Sequence, residues 1–531
     1  MFTTALGFKG GISAPEKAAS LAGQEILNEG GTAVEAIVAA ASTIAVTYPH
    51  MNGIGGDAFW LIKKKDAYPF CISGCGTSAK LASVDWYRDH GNFNSIPERG
   101  GLAALTVPGA IKSWIRALSH DNGNIPLKDL LYRSISYAGE GFAVTKSQEA
   151  CTTDKLDDLK GVPGFSNQFL VDGIPPKAGE KLKQPALKNT LEHLVHNGLE
   201  SFYSGDIGDI HGLFLEKHNS PLRFNDFTSF NSEMVDPLKY CVSKGQLFNL
   251  PAPTQGVTSL TILALFDRLK LQLENDFEET NYEFVHCLVE FTKQALIKRN
   301  QGLADPEYMP TSAQSWLNEE NLNTLYNNYD LKEAYEWPYI PKKGDTVWMG
   351  AIDRYGTVVS FIQSIFWEFG SGLICPETGV LFQNRGAAFS LKGGPNKLIP
   401  EKKPFHTLNP ALAILNDGRV MAYGTMGGDG QPQTQSAIFS RYAYYGFELQ
   451  EAITRPRWLL GKTWGHGGTN LKLEDRFDDS VISNLKSAGH SVQLIKPFSD
   501  LVGHAGAIVI NPCGLIEGAY DPRSDGSALV F

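Results

Sequence analysis

A change of pattern at residue 345 constrains the fold of this chain more than any other feature of its sequence. Residues 100–200 alternate helical segments with loops, and residues 260–345 have a helical and charged pattern, which we interpret as a peripheral lobe. After residue 345 the chain becomes rich in strand-like runs, and the first two are joined by a turn at residues 353–356. These runs are VWMGAI, TVVSFIQSIF, GVLFQNRG, LNPALAILNDGRVMAYGTMGGDG and AGAIVINPCGLIEGAYDP. Strand runs with helices before and between them predict an α/β fold of two stacked sheets flanked by helices, an αββα sandwich.

The N-terminal part predicts two helices within residues 13–48. Ser13 and Glu16 match a capping box for the first helix, and Gly30 and Gly31 end it. We find no low-complexity linker and no internal repeat, so the 531 residues are expected to form one compact unit.

Charge and composition exclude several classes of partner. The net charge of -10 disfavours nucleic acid and anionic membranes, since both attract basic surfaces. The longest apolar stretch, residues 33–46, is too short to span a bilayer, and the N-terminus lacks the apolar core of a signal peptide. Seven cysteines without a CxxC pair indicate neither a zinc site nor a redox motif. We therefore expect a cytoplasmic protein.

Two short motifs match ligand-binding patterns, one for a dinucleotide and one for a metal, but a structural role is the better interpretation of each. Gly53, Gly55 and Ala58 match G-x-G-x-x-A, yet they come after a helix and before a strand, the reverse of the dinucleotide-binding order. A loop that lines a pocket is the better interpretation. His193 and His196 lie one helical turn apart without further ligands nearby, so a surface pair is favoured over a metal site. The sequence thus predicts neither a metal nor a cofactor.

The candidate nucleophile is Thr346, which follows Gly344 and Asp345 at the front of a predicted strand. Neither G-x-S-x-G nor HEXXH occurs in the chain. A threonine hydroxyl needs a nearby base, and cleavage of the Asp345–Thr346 bond would create one, the new α-amino group, with a pKa of about 7.7–8.0. By pattern alone, a structural threonine at the start of a strand is the favoured alternative.

Several longer sequence blocks favour the catalytic interpretation of Thr346 over the structural one. The chain resembles the γ-glutamyltranspeptidase family of N-terminal-nucleophile hydrolases in six blocks that follow the family order: 10–62, 344–373, 379–391, 403–412, 423–435 and 503–526. The resemblance implies self-cleavage into a large chain, 1–345, and a small chain, 346–531, which stay together as a heterodimer. Whether heterodimers assemble further is left open by the sequence.

The resemblance also implies roles for individual residues. Thr346 matches the family nucleophile, although Val347 stands where the family has a second threonine. Ser364 matches a supporting hydroxyl. Gly427 and Gly428 match the glycine pair whose backbone N–H groups form the oxyanion hole. The paired hydroxyls that contact substrate in the family correspond here to His406 and Thr407.

The departures from the family pattern bear on the substrate. The family arginine that holds the α-carboxylate is missing from the stretch 71–77, and Ala388 replaces the acid that holds the α-amino group. Arg385 is new, next to Asn384 in the predicted substrate site, and Phe366 stands where the family has asparagine.

A guanidinium beside the nucleophile suits a small substrate with a carboxylate close to its amide. We expect Phe366, Trp348 and Phe405 to narrow the space around that substrate. The alternative for Arg385 is a structural pair with a carboxylate such as Asp429.

The blocks look most like the oxamate amidohydrolase branch of the family, which implies conversion of oxamate to oxalate and ammonia. Three other functions remain open: a γ-glutamyl or glutathione hydrolase or transferase, an acylase for larger amides, and an uncleaved homologue without enzymatic activity.

Overall fold

The computed structural model describes residues 2–273, 277–337, 344–461 and 468–531. The strands are β1 Ala5–Gly7, β2 Gly11–Ala14, β3 Asp57–Lys63, β4 Phe70–Gly74, β5 Phe142–Ala143, β6 Lys181–Leu182, β7 Glu233–Val235, β8 Leu238–Val242, β9 Gly245–Asn249, β10 Asp345–Ile352, β11 Val358–Phe366, β12 Ala411–Leu415, β13 Val420–Thr425, β14 Trp458–Leu460, β15 Leu471–Glu474, β16 Val492–Ile495, β17 Ala505–Ile510, β18 Ile516–Tyr520 and β19 Ser527–Val530.

The α-helices are α1 Lys17–Asn28, α2 Ala33–Thr47, α3 Val84–Asp89, α4 Ala110–Ser119, α5 Leu127–Leu130, α6 Tyr132–Glu140, α7 Lys146–Leu159, α8 Phe165–Phe169, α9 Pro185–Asn197, α10 Ser201–Ser204, α11 Asp206–Lys217, α12 Phe224–Ser229, α13 Gly256–Gln272, α14 Tyr282–Gly302, α15 Glu319–Tyr326, α16 Gln431–Ala443, α17 Leu449–Thr454 and α18 Asp479–Ser487. Short 3₁₀ turns occupy Gly101–Ala103, Pro306–Tyr308, Ala313–Leu317, Arg385–Ala388, Gly428–Gly430 and Asp500–Val502.

Two seven-stranded sheets form the centre of the molecule. One has the strand order β1-β18-β17-β13-β12-β9-β8 and the other the order β19-β2-β10-β11-β3-β4-β7. The strand β10 packs across β13 and β17 of the facing sheet, and apolar side chains from both sheets fill the space between them. Helix α2 covers the outer face of β10 and β11, while α13 and α16 cover the other sheet. The predicted αββα sandwich is confirmed.

Trp348 shows how closely the two sheets approach. Its ring lies against three glycines, and a Cβ added to Gly424 or Gly506 would come within 2.1 or 2.4 Å of ring atoms. Its indole N–H donates to the Ser360 hydroxyl at 2.9 Å. The ring is therefore an inter-sheet wedge, and the expectation that Trp348 narrows the substrate site is wrong.

Two local expectations also differ from the structure. Ser13 belongs to β2, and the N-cap of α1 is Glu16 itself, whose carboxylate accepts from the backbone N–H groups of Ala18 and Ala19. The helices α13 and α14 are mostly buried rather than part of a peripheral lobe, because they cover a sheet face and each other. Within the described ranges, no helix is long and apolar enough to cross a membrane.

Candidate active site

Thr346 lies one residue into β10, at an irregular point in its pairing with β11. Asp345 is opposite Phe366, but Val347 is opposite Gln363, so two residues of β11, Ser364 and Ile365, face Thr346 across the ladder. Such a bulge re-aims the side chains beside it and is common next to active sites. The structure thus places Ser364 across the ladder from Thr346.

The Thr346 side chain is buried, with an exposed fraction of 1%. The side-chain amide of Gln431, the first residue of α16, lies 3.5 Å from the Thr346 hydroxyl. The Ser364 hydroxyl accepts from the backbone N–H of Phe366 at 2.8 Å, which holds the bulge in shape. The nucleophile candidate therefore sits at the end of a central strand, against the start of a helix.

The glycine pair that precedes α16 lies close to the chain just before Thr346. Gly427 and Gly428 have φ values of +118° and +52°, which residues with side chains rarely adopt. A Cβ added to Gly344 would lie 3.2 Å from the Gly428 Cα and 3.2 Å from the Thr407 Oγ1. The predicted cleavage point, the predicted oxyanion glycines and Thr407 are thus neighbours.

A buried ion pair holds this loop in place. Arg299 donates to both carboxylate oxygens of Asp429, at 2.6 and 3.1 Å, and to the side-chain oxygen of Gln255 at 2.6 Å. The amide nitrogen of Gln255 in turn donates to the carbonyls of Thr407 and Gly428, at 2.7 and 2.8 Å. Asp429 is the partner of Arg299, so the alternative that Arg385 pairs with Asp429 is wrong.

Arg385 is fully buried beside Thr407. One of its terminal nitrogens, Nη1, lies 3.5 Å from the Thr407 hydroxyl, while Nε and Nη2 have no hydrogen-bond partner within the described part of the chain. Its guanidinium lies 3.8 Å from the centre of the Phe366 ring. Burial lowers the pKa of Arg385 to about 9, against the attraction of Asp57 and Cys75. Two buried donor nitrogens without an acceptor indicate the position of an anionic ligand.

Phe366 adopts a φ of +84°, a strained value for a residue with a side chain. Such strain costs on the order of 1–3 kcal/mol and concentrates at functional sites. Here it turns the ring under the guanidinium of Arg385. The ring of Phe405, by contrast, lies 5.3 Å from the guanidinium of Arg299, which is part of α14.

His406 is paired with a carboxylate that the sequence did not point to. Its Nε2 lies 3.0 Å from Oδ2 of Asp57, the first residue of β3, and both side chains are fully buried. Burial, reinforced by the positive charge of Arg385, lowers the pKa of His406 well below its usual value, so the ring is neutral. Burial raises the pKa of Asp57 to about 7, while the hydrogen bond from Gln383 and the charge of Arg385 favour its ionised form.

Asn384 has both ends of its side chain engaged by the backbone. Its amide donates to the Glu98 carbonyl at 3.0 Å, and its oxygen accepts from the Trp367 N–H at 3.2 Å. These contacts position the short turn that carries Arg385. A direct contact between Asn384 and substrate stays a prediction.

The sequence of this chain matches a known protein family. Residues 19–531 match the family model described as gamma-glutamyltranspeptidase. The chain belongs to the γ-glutamyltranspeptidase family. It is 47% identical to the oxamate amidohydrolase proenzyme of Klebsiella pneumoniae, with 97% of each chain covered, and 35% identical to the glutathione hydrolase-like YwrD proenzyme of Bacillus subtilis, over the full length of both. It is therefore a hydrolase of amide carbon–nitrogen bonds.

The fold is also found in a solved structure. The cephalosporin acylase from Bacillus halodurans superimposes with a TM-score of 0.90 at 27% identity, over 100% of this chain and 97% of that one. This likeness covers both sheets and their helical layers.

Two buried groups of side chains have metal-ligand chemistry. Asp57, Cys75 and His406 place ligand atoms within 4.8 Å of one another, as do His286, Glu290 and His490. The positive charge of Arg385 acts on the first group, and the Lys293 ammonium lies 2.6 Å from a Glu290 oxygen in the second. A nearby cation disfavours a metal ion at both places.

Four residues of this γ-glutamyltranspeptidase-family site escaped the sequence analysis. Asp57 and Gln431 each end a glycine-rich stretch, GGD and GGDGQ, which is the only signal that could have drawn attention to them. Gln255 immediately precedes α13 and Arg299 lies near the end of α14; both are far from the motifs, and nothing in their surroundings marks them.

Proposed function

We propose that this chain cuts its own Asp345–Thr346 bond and then uses Thr346 to hydrolyse a small amide that carries a carboxylate, with oxamate as the substrate. The observation that carries the proposal is the buried guanidinium of Arg385, which has two donor nitrogens without an acceptor in the described residues, beside Thr407. The identity of 47% to an oxamate amidohydrolase proenzyme supports the same substrate.

The position of Thr346 supports self-cleavage. Its hydroxyl oxygen attacks the carbonyl carbon of Asp345, and the hydroxyl proton passes to the nitrogen as the C–N bond breaks, so the nitrogen leaves with two hydrogens as the new α-amino group. Water then hydrolyses the resulting ester and releases the carboxylate of Asp345. The N–H groups of Gly427 and Gly428 are the donors for the oxyanion in both steps, supported by the approach of Gly344 to Gly428.

The same groups then serve the substrate. The α-amine of Thr346 takes the proton from its own hydroxyl, whose oxygen attacks the amide carbon of oxamate. Ammonia leaves with that proton, and water hydrolyses the oxalyl ester to oxalate. Gln431, at 3.5 Å from the hydroxyl, orients the nucleophile. The carboxylate of the substrate binds Nε and Nη2 of Arg385, which fixes the amide next to Thr346.

The mature protein would be a heterodimer of residues 1–345 and 346–531, since its relatives are named proenzymes. A reducing compartment such as the cytoplasm fits the cysteines, because none of the seven forms a disulfide in the described residues.

Mass spectrometry and two activity assays test the proposal. The purified wild type should yield two chains that meet between Asp345 and Thr346, and Thr346→Ala should stay intact. The mature enzyme should release ammonia from oxamate and show little turnover of a γ-glutamyl anilide or a cephalosporin side-chain amide.

Other outcomes assign the rival functions. Strong anilide turnover without activity on oxamate would make the chain a γ-glutamyl hydrolase, and strong turnover of the larger amide would make it an acylase. A wild type that stays a single chain would contradict the enzymatic proposal altogether.

A further inference from the structure

Every hydrogen-bonding group of His406 has a partner in the described residues except one ring nitrogen. The backbone N–H of His406 donates to the Pro253 carbonyl at 2.9 Å, and the His406 carbonyl accepts from the Gln255 N–H at 3.0 Å. Its ring packs edge-on against Phe59, with centroids 4.6 Å apart, and Nε2 lies 3.0 Å from Asp57. Only Nδ1, which is buried, has no hydrogen-bond partner within the described part of the chain.

The carboxylate of Asp57 has an asymmetric set of donors. Oδ1 accepts three hydrogen bonds, from the backbone N–H groups of Gly76 and Gly109 at 3.1 Å each and from the Gln383 amide at 2.9 Å. Oδ2 faces His406. When Asp57 is ionised, above its pKa of about 7, its carboxylate can only accept there, so Nε2 of the neutral ring carries the proton and Nδ1 is a bare acceptor.

We propose that Asp57 is a positioning residue: it fixes the tautomer of His406 so that Nδ1 accepts a hydrogen bond from the amide N–H of the bound substrate. This inference rests on the proposed function and deepens it. Arg385 then offers donors to the carboxylate end of the ligand, and His406 offers an acceptor to the amide end.

This arrangement distinguishes substrate from product. Oxamate has acceptors at one end and N–H donors at the other, and it matches both residues. Oxalate has acceptors at both ends, so one of its oxygens would face the lone pair of Nδ1. The site therefore favours the amide over the acid that it becomes, which promotes product release.

The variant Asp57→Asn reverses the tautomer without changing the shape of the side chain. The three donors around Oδ1 require the amide oxygen of asparagine at that position, so its NH₂ group must face His406. Nε2 then becomes the acceptor, and the proton moves to Nδ1. The site of the variant should accept oxalate better and oxamate worse.

The test compares two ligands on the mature enzyme. For Asp57→Asn we expect unchanged self-cleavage, a KM for oxamate raised about tenfold or more, and a lower competitive inhibition constant for oxalate, in line with one buried hydrogen bond gained or lost. The control is Cys241→Ser, which makes the same cysteine-to-serine type of change at an exposed position and should change neither value. Equal changes in both constants for Asp57→Asn would overturn the inference.

A second measurement needs no variant of Asp57. In wild-type protein with ¹⁵N-labelled histidine, the His406 signals, assigned by their loss in His406→Gln, should show a protonated Nε2 and an unprotonated Nδ1. A protonated Nδ1 would overturn the inference even if Asp57→Asn failed to fold. Absence of oxamate turnover together with the expected tautomer would instead refute only the substrate of the proposed function.

Discussion

Replacement of Arg385 by alanine should separate activity from stability, because the charge is unfavourable in the folded protein without ligand. The pKa of this group falls from 12.5 to about 9 on burial. Its folded-state pKa is depressed, so the charged form destabilises the fold at every pH below about 9, and the effect is relieved as the pH rises through that value. At about 1.4 kcal/mol per pKa unit, the cost at pH 7 is on the order of 5 kcal/mol.

The losses caused by the replacement are of similar size. Truncation of a large buried side chain costs about 2–5 kcal/mol, and the contact with the Phe366 ring contributes about 0.5–2 kcal/mol. These terms offset the relieved charge. We therefore expect Arg385→Ala to unfold at the same temperature as the wild type or slightly above it.

The effect on catalysis should be large. Two charge-assisted hydrogen bonds to a substrate carboxylate, at about 1.5–3 kcal/mol each, sum to about 3–6 kcal/mol. Since about 1.4 kcal/mol corresponds to a factor of ten, kcat/KM for oxamate should fall by about 10² to 10⁴. Arg385→Lys should lie between, because an ammonium keeps the charge but lacks the planar pair of donors.

Calorimetry and an ammonia assay on the same preparations measure both effects. Oxalate should raise the unfolding temperature of the wild type but not that of Arg385→Ala. The control is Arg419→Ala, which removes a partly exposed arginine that stacks 4.8 Å above a tyrosine ring and should leave kcat/KM unchanged. Loss of several kcal/mol of stability together with loss of self-cleavage in Arg385→Ala would refute the reasoning and make Arg385 structural.

Three further predictions concern the nucleophile, the pH dependence and the core. Thr346→Ser should still cut itself, more slowly, whereas Thr346→Ala should remain at 58.0 kDa by mass spectrometry. The kcat/KM for oxamate should fall as the pH drops through about 7, because Asp57 then takes up a proton on Oδ2, the oxygen that faces His406. Nε2 of His406 becomes the acceptor and the ring proton moves to Nδ1, so Asp57→Asn should lack this step in its pH profile. Gly424→Ala should lower the unfolding temperature strongly, since its Cβ would lie 2.1 Å from the Trp348 ring, while Gly161→Ala, with open space around it, should not.

The sequence predicted those parts of the molecule that leave a local pattern. The strand that begins at Asp345 and the sandwich architecture could be predicted, because runs of strand-like residues have a sequence signature, whereas the glycine pair before α16 was indicated only by the family resemblance. Trp348 was placed wrongly because an apolar side chain in a strand can face either layer, and only the glycines of the facing strands reveal which.

The electrostatics of the site could not be predicted in the same way. Asp57 and His406 are 349 positions apart, and Arg299 and Asp429 are 130 apart. These pairs form only because the fold brings together elements that are far apart in the chain, and a local stretch of sequence carries no signal of that contact. The alternative partner for Arg385 was wrong for this reason: Asp429 is close in the chain to the glycine pair, but its carboxylate is already held by Arg299.

The strand order has a consequence for how the mature protein could come apart. In one sheet, β10 and β11 lie between β2 on one side and β3 on the other; in the other sheet, β18, β17, β13 and β12 lie between β1 and β9. After cleavage before Thr346, each sheet would contain strands from both chains, so the two chains would have no interface at which they could separate without breaking a sheet. Once cut, the protein could lose a subunit only by unfolding, and to refold it would need two chains to meet in solution. Its lifetime would then be set by the rate of unfolding, and dilution alone would not dissociate it.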